Sequence, residues 1–194
     1  MNDSHIIELI HKYFPPEGQA FSYYLAHVTA VRRVALQVVK HHPQLRVNVG
    51  LIAAGAMLHD IGICKVHAPE IGCYGEHPYL AHGYLGRQIL EYEGYNDLAL
   101  IAERHTGVGI SRKEIISSNL ALPHRDLVPE SMEEWIVCYA DCFFSKTNQN
   151  PSKPKSLDKI RASMLKYGAD KLDVFDGIHR AFGSDYIYLD DSDG

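Results

Sequence analysis

Four histidines and an aspartate occupy positions where helical periodicity demands apolar side chains, and no other feature restricts the fold as much. His27 shares a helix face with Val31, Val34 and Val38, and His59 follows Ile52, Gly55 and Ala56 on one face. His82 lies with Leu85, Gly86 and Ile89, His105 with Leu98, Ile101 and Ala102, and Asp141 with Val137 and Cys138. Five helices therefore turn these groups toward one interior. A hydrogen-bonded core imidazole is ordinary taken alone. A buried carboxylate without a partner costs several kcal/mol, so five such groups in one small core need a common neutraliser. A divalent metal ion meets that need, because neutral imidazoles and carboxylates are borderline-to-hard ligands.

The rest of the chain predicts an all-α fold, a compact multi-helix bundle. Helices are expected over 4–13, stopped by Pro15 and Pro16, over 21–41, ended by Pro43, and over 47–58, running into His59-Asp60-Ile61-Gly62. Two more are expected over 78–93, with Gly94 as its stop, and over 97–105, closed by Gly107 and Gly109. Ser111 and Ser131 each precede a glutamate by three residues, the capping-box spacing, so a helix should begin at each, the second reaching about 146. A polar linker over 148–154 leads to helices near 156–167 and 170–182. Residues 64–75, with Pro69, Gly72 and Gly75, read as a loop, and alternation of strand type is confined to 186–189. The expectation is one domain over 1–194, with a core at about 21–146 and a C-terminal helical extension over 156–183.

Composition narrows the partners. With a net charge of −5 over 194 residues and no basic stripe, the chain is not expected to bind a nucleic-acid polymer. A small anion stays open, because a bound cation dominates its local field. No apolar run approaches the roughly 18 residues that span a bilayer. The polar start Met1-Asn2-Asp3-Ser4-His5 has no signal-peptide pattern, so the expected compartment is the cytoplasm. The acidic end, 190–194, alone reads as disordered. Cys64, Cys73, Cys138 and Cys142 make no CxxC pair and read as small buried thiols in a reducing compartment. Histidine is the residue in excess, with 12, and it directs the search to metal.

His59 and Asp60 sharpen that search. Adjacent helical residues diverge by about 100°, so both reach one site only where the helix ends, and Ile61-Gly62 supplies the end. Asp60 has two oxygens with which to bridge two ions. Leu58-His59-Asp60-Ile61-Gly62 resembles the central motif of the HD-domain phosphohydrolases, many of which read HDIG. Ala26-His27-Val28 is similar to the family's first metal histidine, and Tyr139-Ala140-Asp141 to its last metal aspartate, over about 21–146. His82-Gly83-Tyr84-Leu85-Gly86 with Ile89-Leu90 resembles the HxxxGxxIL segment of members holding two metals, and Arg104-His105-Thr106-Gly107 resembles their next histidine. His77-Pro78 is a rival for the His82 role, although the glycine spacing favours His82.

The resemblance implies a first ion on His27, His59, Asp60 and Asp141 and a second on Asp60, His82 and His105, with His59 and Asp60 at the centre of catalysis. It implies one or two divalent ions (Fe, Mn, Zn, Co or Mg) and hydrolysis of a small phosphate ester, a nucleotide first, by attack of a metal-bound hydroxide. A di-iron HD-type oxygenase and a non-catalytic metal-binding regulatory domain stay open beside it. Many members with two metals carry a lysine three residues after the aspartate, where this chain has Ile63. Lys65, which reads equally as a solvated loop charge, and Arg104, Arg112 and Lys146, which read first as surface or salt-bridge residues, are the remaining candidate phosphate contacts. After His105 the chain reads Thr106-Gly107-Val108-Gly109-Ile110, only partly similar to the GYP signature of cyclic-dinucleotide cleavage, so a cyclic dinucleotide is a minority expectation. Tyr74, Tyr79, Tyr84 and Tyr139 are within reach of a base-stacking role but read as packing, and Trp135 as core. The oligomeric state is not legible.

Overall fold

Helices form on the expected segments because each carries an apolar face and a local start or stop. The computed structural model describes residues 2–144, 150–183 and 185–188. Its helices are α1 (Asp3–Tyr13), α2 (Gln19–His41), α3 (Val49–Leu58), α4 (His82–Tyr92), α5 (Asn96–Arg104), α6 (Arg112–Ser117), α7 (Met132–Cys142), α8 (Leu157–Tyr167) and α9 (Ala169–Phe182). The fold is all-α. Asn2 caps α1 by accepting from the His5 N–H at 2.9 Å, and Asn48 caps α3 by accepting from the Leu51 N–H at 3.1 Å. The capping box at Ser111 forms in full: the Glu114 N–H donates to Ser111 Oγ at 3.2 Å and the Ser111 N–H to Glu114 Oε2 at 2.8 Å. At Ser131 the return bond goes instead from the Glu130 N–H to Glu134 Oε2, at 2.9 Å.

The centre of the bundle is α3, buried along most of its length and packed by α1, α2, α5 and α7. Helix α2 lays Val28, Val31, Val34 and Val38 against this core, each worth roughly 1.5–3 kcal/mol on full burial. Helix α4 packs on α5 and on the turn that follows Asp60. Helices α8 and α9 pair with each other, and α9 docks on α7 through Tyr139, whose ring lies 5.3 Å from Phe182 and 6.1 Å from Phe175 between centroids. The Tyr139 hydroxyl donates to the Gly183 carbonyl at 2.5 Å. Among the described residues no helix is long and apolar enough to cross a membrane.

The segment expected as a loop over 64–75 has regular structure. A 3-10 turn, Ile61–Lys65, leads into a hairpin of β1 (His67–Ala68) and β2 (Cys73–Tyr74), antiparallel, with Ala68 opposite Cys73. Two-residue strands are too short for alternation to register. Helix α7 ends at Cys142, short of the expected 146, because the Phe143 and Phe144 N–H groups turn back to Ala140 and Asp141. The tail, where the sequence alternates over 186–189, forms a 3-10 turn, Asp185–Tyr188, with Tyr186 and Ile187 buried. Trp135 is half-buried rather than core. Leu189 and the acidic end 190–194 lie outside the described residues.

Gly62 shows how tightly the turn meets α4. A Cβ at this position would overlap the His82 carbonyl oxygen and the Gly86 nitrogen, and a Cβ at Gly86 would press the Ala102 methyl group from 3.3 Å. Both glycines therefore set the spacing between the turn, α4 and α5. Gly62→Ala is expected to lower unfolding free energy by about 2 kcal/mol, the middle of the overpacking range, in urea denaturation. A loss too small to measure would show that the turn does not rest on α4.

Candidate metal centre

Five segments deliver six polar side chains to one point. His27 comes from α2, His59 and Asp60 from the end of α3, His82 from the first residue of α4, His105 from just beyond α5, and Asp141 from the last turn of α7. Five of them are no more than 2% exposed and Asp141 is 8% exposed. The backbone loosens where the sequence requires it. His59 keeps helical angles (φ −56°, ψ −34°), whereas Asp60 moves to φ −98° and ψ 9°, and the two side chains converge.

Asp60 sits between two groups. Its Oδ2 lies 3.3 Å from His27 Nε2 and 3.6 Å from His59 Nε2. Its Oδ1 lies 3.4 Å from His82 Nε2 and 3.2 Å from His105 Nε2. Asp141 Oδ1 joins the first group, 3.0 Å from His27 Nε2 and 3.5 Å from His59 Nε2. Within the groups, the His27 and His59 Nε2 atoms are 3.3 Å apart and those of His82 and His105 are 3.1 Å apart. His27, His59 and Asp141 form one set with ligand atoms close enough for a single ion, and His59, Asp60 and His105 another. His82 belongs with the second by its distances to His105 and Asp60.

Three rings are aimed by the backbone. Nδ1 of His59 lies 2.8 Å from the Ala56 carbonyl, that of His82 2.7 Å from Tyr79, and that of His105 2.7 Å from Ala102. A carbonyl only accepts, so each Nδ1 carries the hydrogen, a tautomer assigned from its partner. In the neutral imidazole Nε2 is then a lone pair facing the centre. With both rings neutral, His82 and His105 point two lone pairs at each other across 3.1 Å, an arrangement that a bound cation or an added proton relieves. His27 Nδ1 has no hydrogen-bond partner. Burial works against a charged His27, yet the carboxylates of Asp141 and Asp60 outweigh it and raise its pKa above the ordinary value. The same negative field that favours imidazolium favours a metal ion, and the donor set fits one.

Of the candidate phosphate contacts read from the sequence, the described ones have other settings. Lys65 is exposed, and Lys146 lies outside the described residues. Arg104 bridges α5 to α7, with Nη1 3.1 Å from Glu134 and Nη2 3.1 Å from Glu130. Arg112 is exposed at the start of α6. His77 is exposed and contributes its backbone, accepting from the His67 N–H at 2.8 Å, so His82 rather than His77 reaches the cluster. Ile63 is buried.

Two supports escaped sequence reasoning. Glu103, buried beside His105, accepts from Arg87 at 2.5 Å and also from Arg125, tying α5 to α4 and to the loop before α7. Cys138 and Cys142 both donate to the Gly107 carbonyl, at 3.1 and 3.2 Å, which fixes the loop after His105 onto the helix that carries Asp141. The i, i+4 cysteine spacing hinted at a shared role, but its acceptor lies 31 residues away from Cys138.

Comparison with known proteins agrees with this geometry. The family model described as HD domain matches residues 24–144. A tRNA (cytidine(56)-2'-O)-methyltransferase of Thermoplasma volcanium is 34% identical over 167 residues, 86% of this chain and 43% of its own length. An uncharacterized protein of Methanocaldococcus jannaschii is 43% identical over 96 residues, 49% of each chain. A protein of Picrophilus torridus with the same methyltransferase name is 36% identical over 140 residues, 67% of this chain and 36% of its own. The chain spans less than half the length of these relatives. No solved structure gives a significant match. Since the family model covers well over half of its residues, the chain belongs to the HD domain family.

Proposed function

We propose that His27, His59, Asp60, His82, His105 and Asp141 hold one or two divalent metal ions, and that the protein hydrolyses a small phosphate ester, a nucleotide first. The carrying observation is the pair of lone pairs that His82 and His105 present to each other across 3.1 Å, beside an Asp60 carboxylate with one oxygen in each group. HD domains as a family point to metal-dependent hydrolysis. Bound ions would supply Lewis acidity, polarising a phosphoryl oxygen and acidifying water near neutral pH.

The chain's own residues would do the rest. Asp60 would tie the two groups together through its two oxygens. The three backbone-held imidazoles would keep their Nε2 atoms fixed, so little reorganisation accompanies the reaction. Asp141, the least buried of the six, would stand where water and substrate enter and would orient the attacking water. Imidazole-rich ligation favours Fe, Mn, Zn or Co over Mg. A di-iron oxygenase would use similar donors; oxygen uptake on reaction separates it from oxygen-independent phosphate release.

The names of two relatives favour a second reading, in which this domain serves the chemistry of tRNA methylation. Its net charge of −5 speaks against polymer binding by this chain alone. Methyl incorporation into tRNA from a labelled donor, without phosphate release from any ester, would establish that reading and remove the first.

Asp60→Ala should strip most metal from the purified protein and reduce phosphate release by more than about 100-fold, beyond the usual effect of an outer-shell partner. Elemental analysis beside a phosphatase panel reads both, and full metal content in the variant would refute the assignment. His82→Ala and His105→Ala should each reduce a two-ion content toward one per chain while circular dichroism still shows a folded helical protein. Two ions retained in both variants would exclude a second metal on these residues.

A further inference from the structure

Without an ion, the two ligand groups differ in how their neutral rings can be satisfied. In the second group the Nδ1 hydrogens of His82 and His105 are both given to backbone carbonyls, those of Tyr79 and Ala102, at 2.7 Å each. Both Nε2 atoms are then acceptors, and they face each other across 3.1 Å with Asp60 Oδ1, a further acceptor, beside them. The first group is built otherwise. His59 gives its Nδ1 hydrogen to the Ala56 carbonyl, so its Nε2 accepts, and His27 Nε2 lies 3.3 Å from it. No acceptor holds a hydrogen on His27 Nδ1, which is buried without a hydrogen-bond partner. His27 can therefore carry its hydrogen on Nε2 and donate it to His59, which satisfies this pair with no cation at all.

Loading reverses the comparison. An imidazole binds a metal through a nitrogen lone pair. His82 and His105 present theirs at Nε2, so a cation there replaces facing acceptors with bonds and moves no hydrogen. His27 must give up its bond to His59 and carry its hydrogen on Nδ1 instead of Nε2, with no net proton gained or lost. That hydrogen then lies buried without an acceptor, and Phe144, whose ring stands at 85° to that of His27 with centroids 6.3 Å apart, offers it no lone pair. Metal-binding imidazoles deprived of such an outer partner lose about 10–100-fold in affinity. Asp141 acts in the opposite sense by giving the first group a carboxylate of its own, but it is the least buried of the six and so the most screened.

We infer that a divalent cation fills the Asp60, His82 and His105 group first, and that His27 makes the second ion a separate, weaker step through its change of tautomer. The inference rests on the metal reading above. At limiting metal the centre holds one ion and an intact bond between His27 and His59.

The test titrates the metal-free full chain with zinc chloride and follows the ring nitrogens by long-range proton–nitrogen correlation NMR, which separates N–H, lone-pair and metal-bound nitrogens. The first equivalent should move the signals of His82 and His105 and leave the His27 hydrogen on Nε2. The second should transfer it to Nδ1, with an affinity about 10–100-fold lower by isothermal titration calorimetry. His27→Ala should keep the tight step and lose the weak one, and His105→Ala should lose the tight step. Circular dichroism checks that both variants fold, and the unsubstituted chain's spectra decide the order without them. A first equivalent that moves His27, or all four rings together, overturns the order and leaves the metal reading in place. A chain that takes up no zinc overturns both.

Discussion

The fold is arranged around an interaction that is unfavourable while the imidazoles are neutral and no cation is bound: ring nitrogens and two carboxylates face each other within 3.0–3.6 Å. Helix ends are used to impose it. Helices α3 and α5 stop at the centre, and each has a carbonyl near its C-terminus that needs a donor. His59 closes Ala56 and His105 closes Ala102, so one ring nitrogen caps the helix while the other is aimed inward. The negative ends of two helix dipoles add to the two carboxylates, and both favour a cation. Capping and ligation are thus one device, and moving either helix end by a residue would lose both.

Bringing the fourth imidazole into range places a different demand on the chain. His82 opens α4, and its Nε2 meets His105 only if α4 lies close to α5 and to the turn after Asp60. Gly62 and Gly86 permit that approach, since a side chain at either would strike backbone or the Ala102 methyl. The glycine that follows His59-Asp60-Ile61 therefore has a packing reason besides ending the helix. The buried Glu103, clamped by Arg87 and Arg125, holds the same pair of helices from the other side. Breaking one partner of such a pair is costly because it leaves a buried charge behind.

How much was legible in the sequence follows from the range of each interaction. The all-α fold and the convergence of His27, His59, Asp60, His82, His105 and Asp141 were legible because each is a polar residue on an apolar helical face, a signal contained within one helix. The role of Ile61-Gly62 in ending α3 was local too. The hairpin at 67–74 left no trace, its strands being two residues each. Glu103 gave no sign of its clamp, because Arg87 and Arg125 are 16 and 22 residues away. Arg104 read first as a surface or salt-bridge residue and second as a phosphate contact, and nothing nearby in sequence shows that Glu130 and Glu134 are the partners of its guanidinium.

The pairing of the basic residues has a consequence for selectivity. Arg104 is held by two glutamates, Lys171 by Glu114 and a carbonyl, and Ile63 is apolar and buried. Under the proposed function, the described Arg104 and Lys171 are thus committed elsewhere, and bound ions would supply positive charge to a phosphate. A lysine or arginine would hold a phosphate whether or not metal were present; ions held by the same six side chains would instead couple substrate affinity to metal occupancy. Such a site would distinguish phosphate esters by the neutral remainder of the molecule, because the charged end would meet the same ions in each.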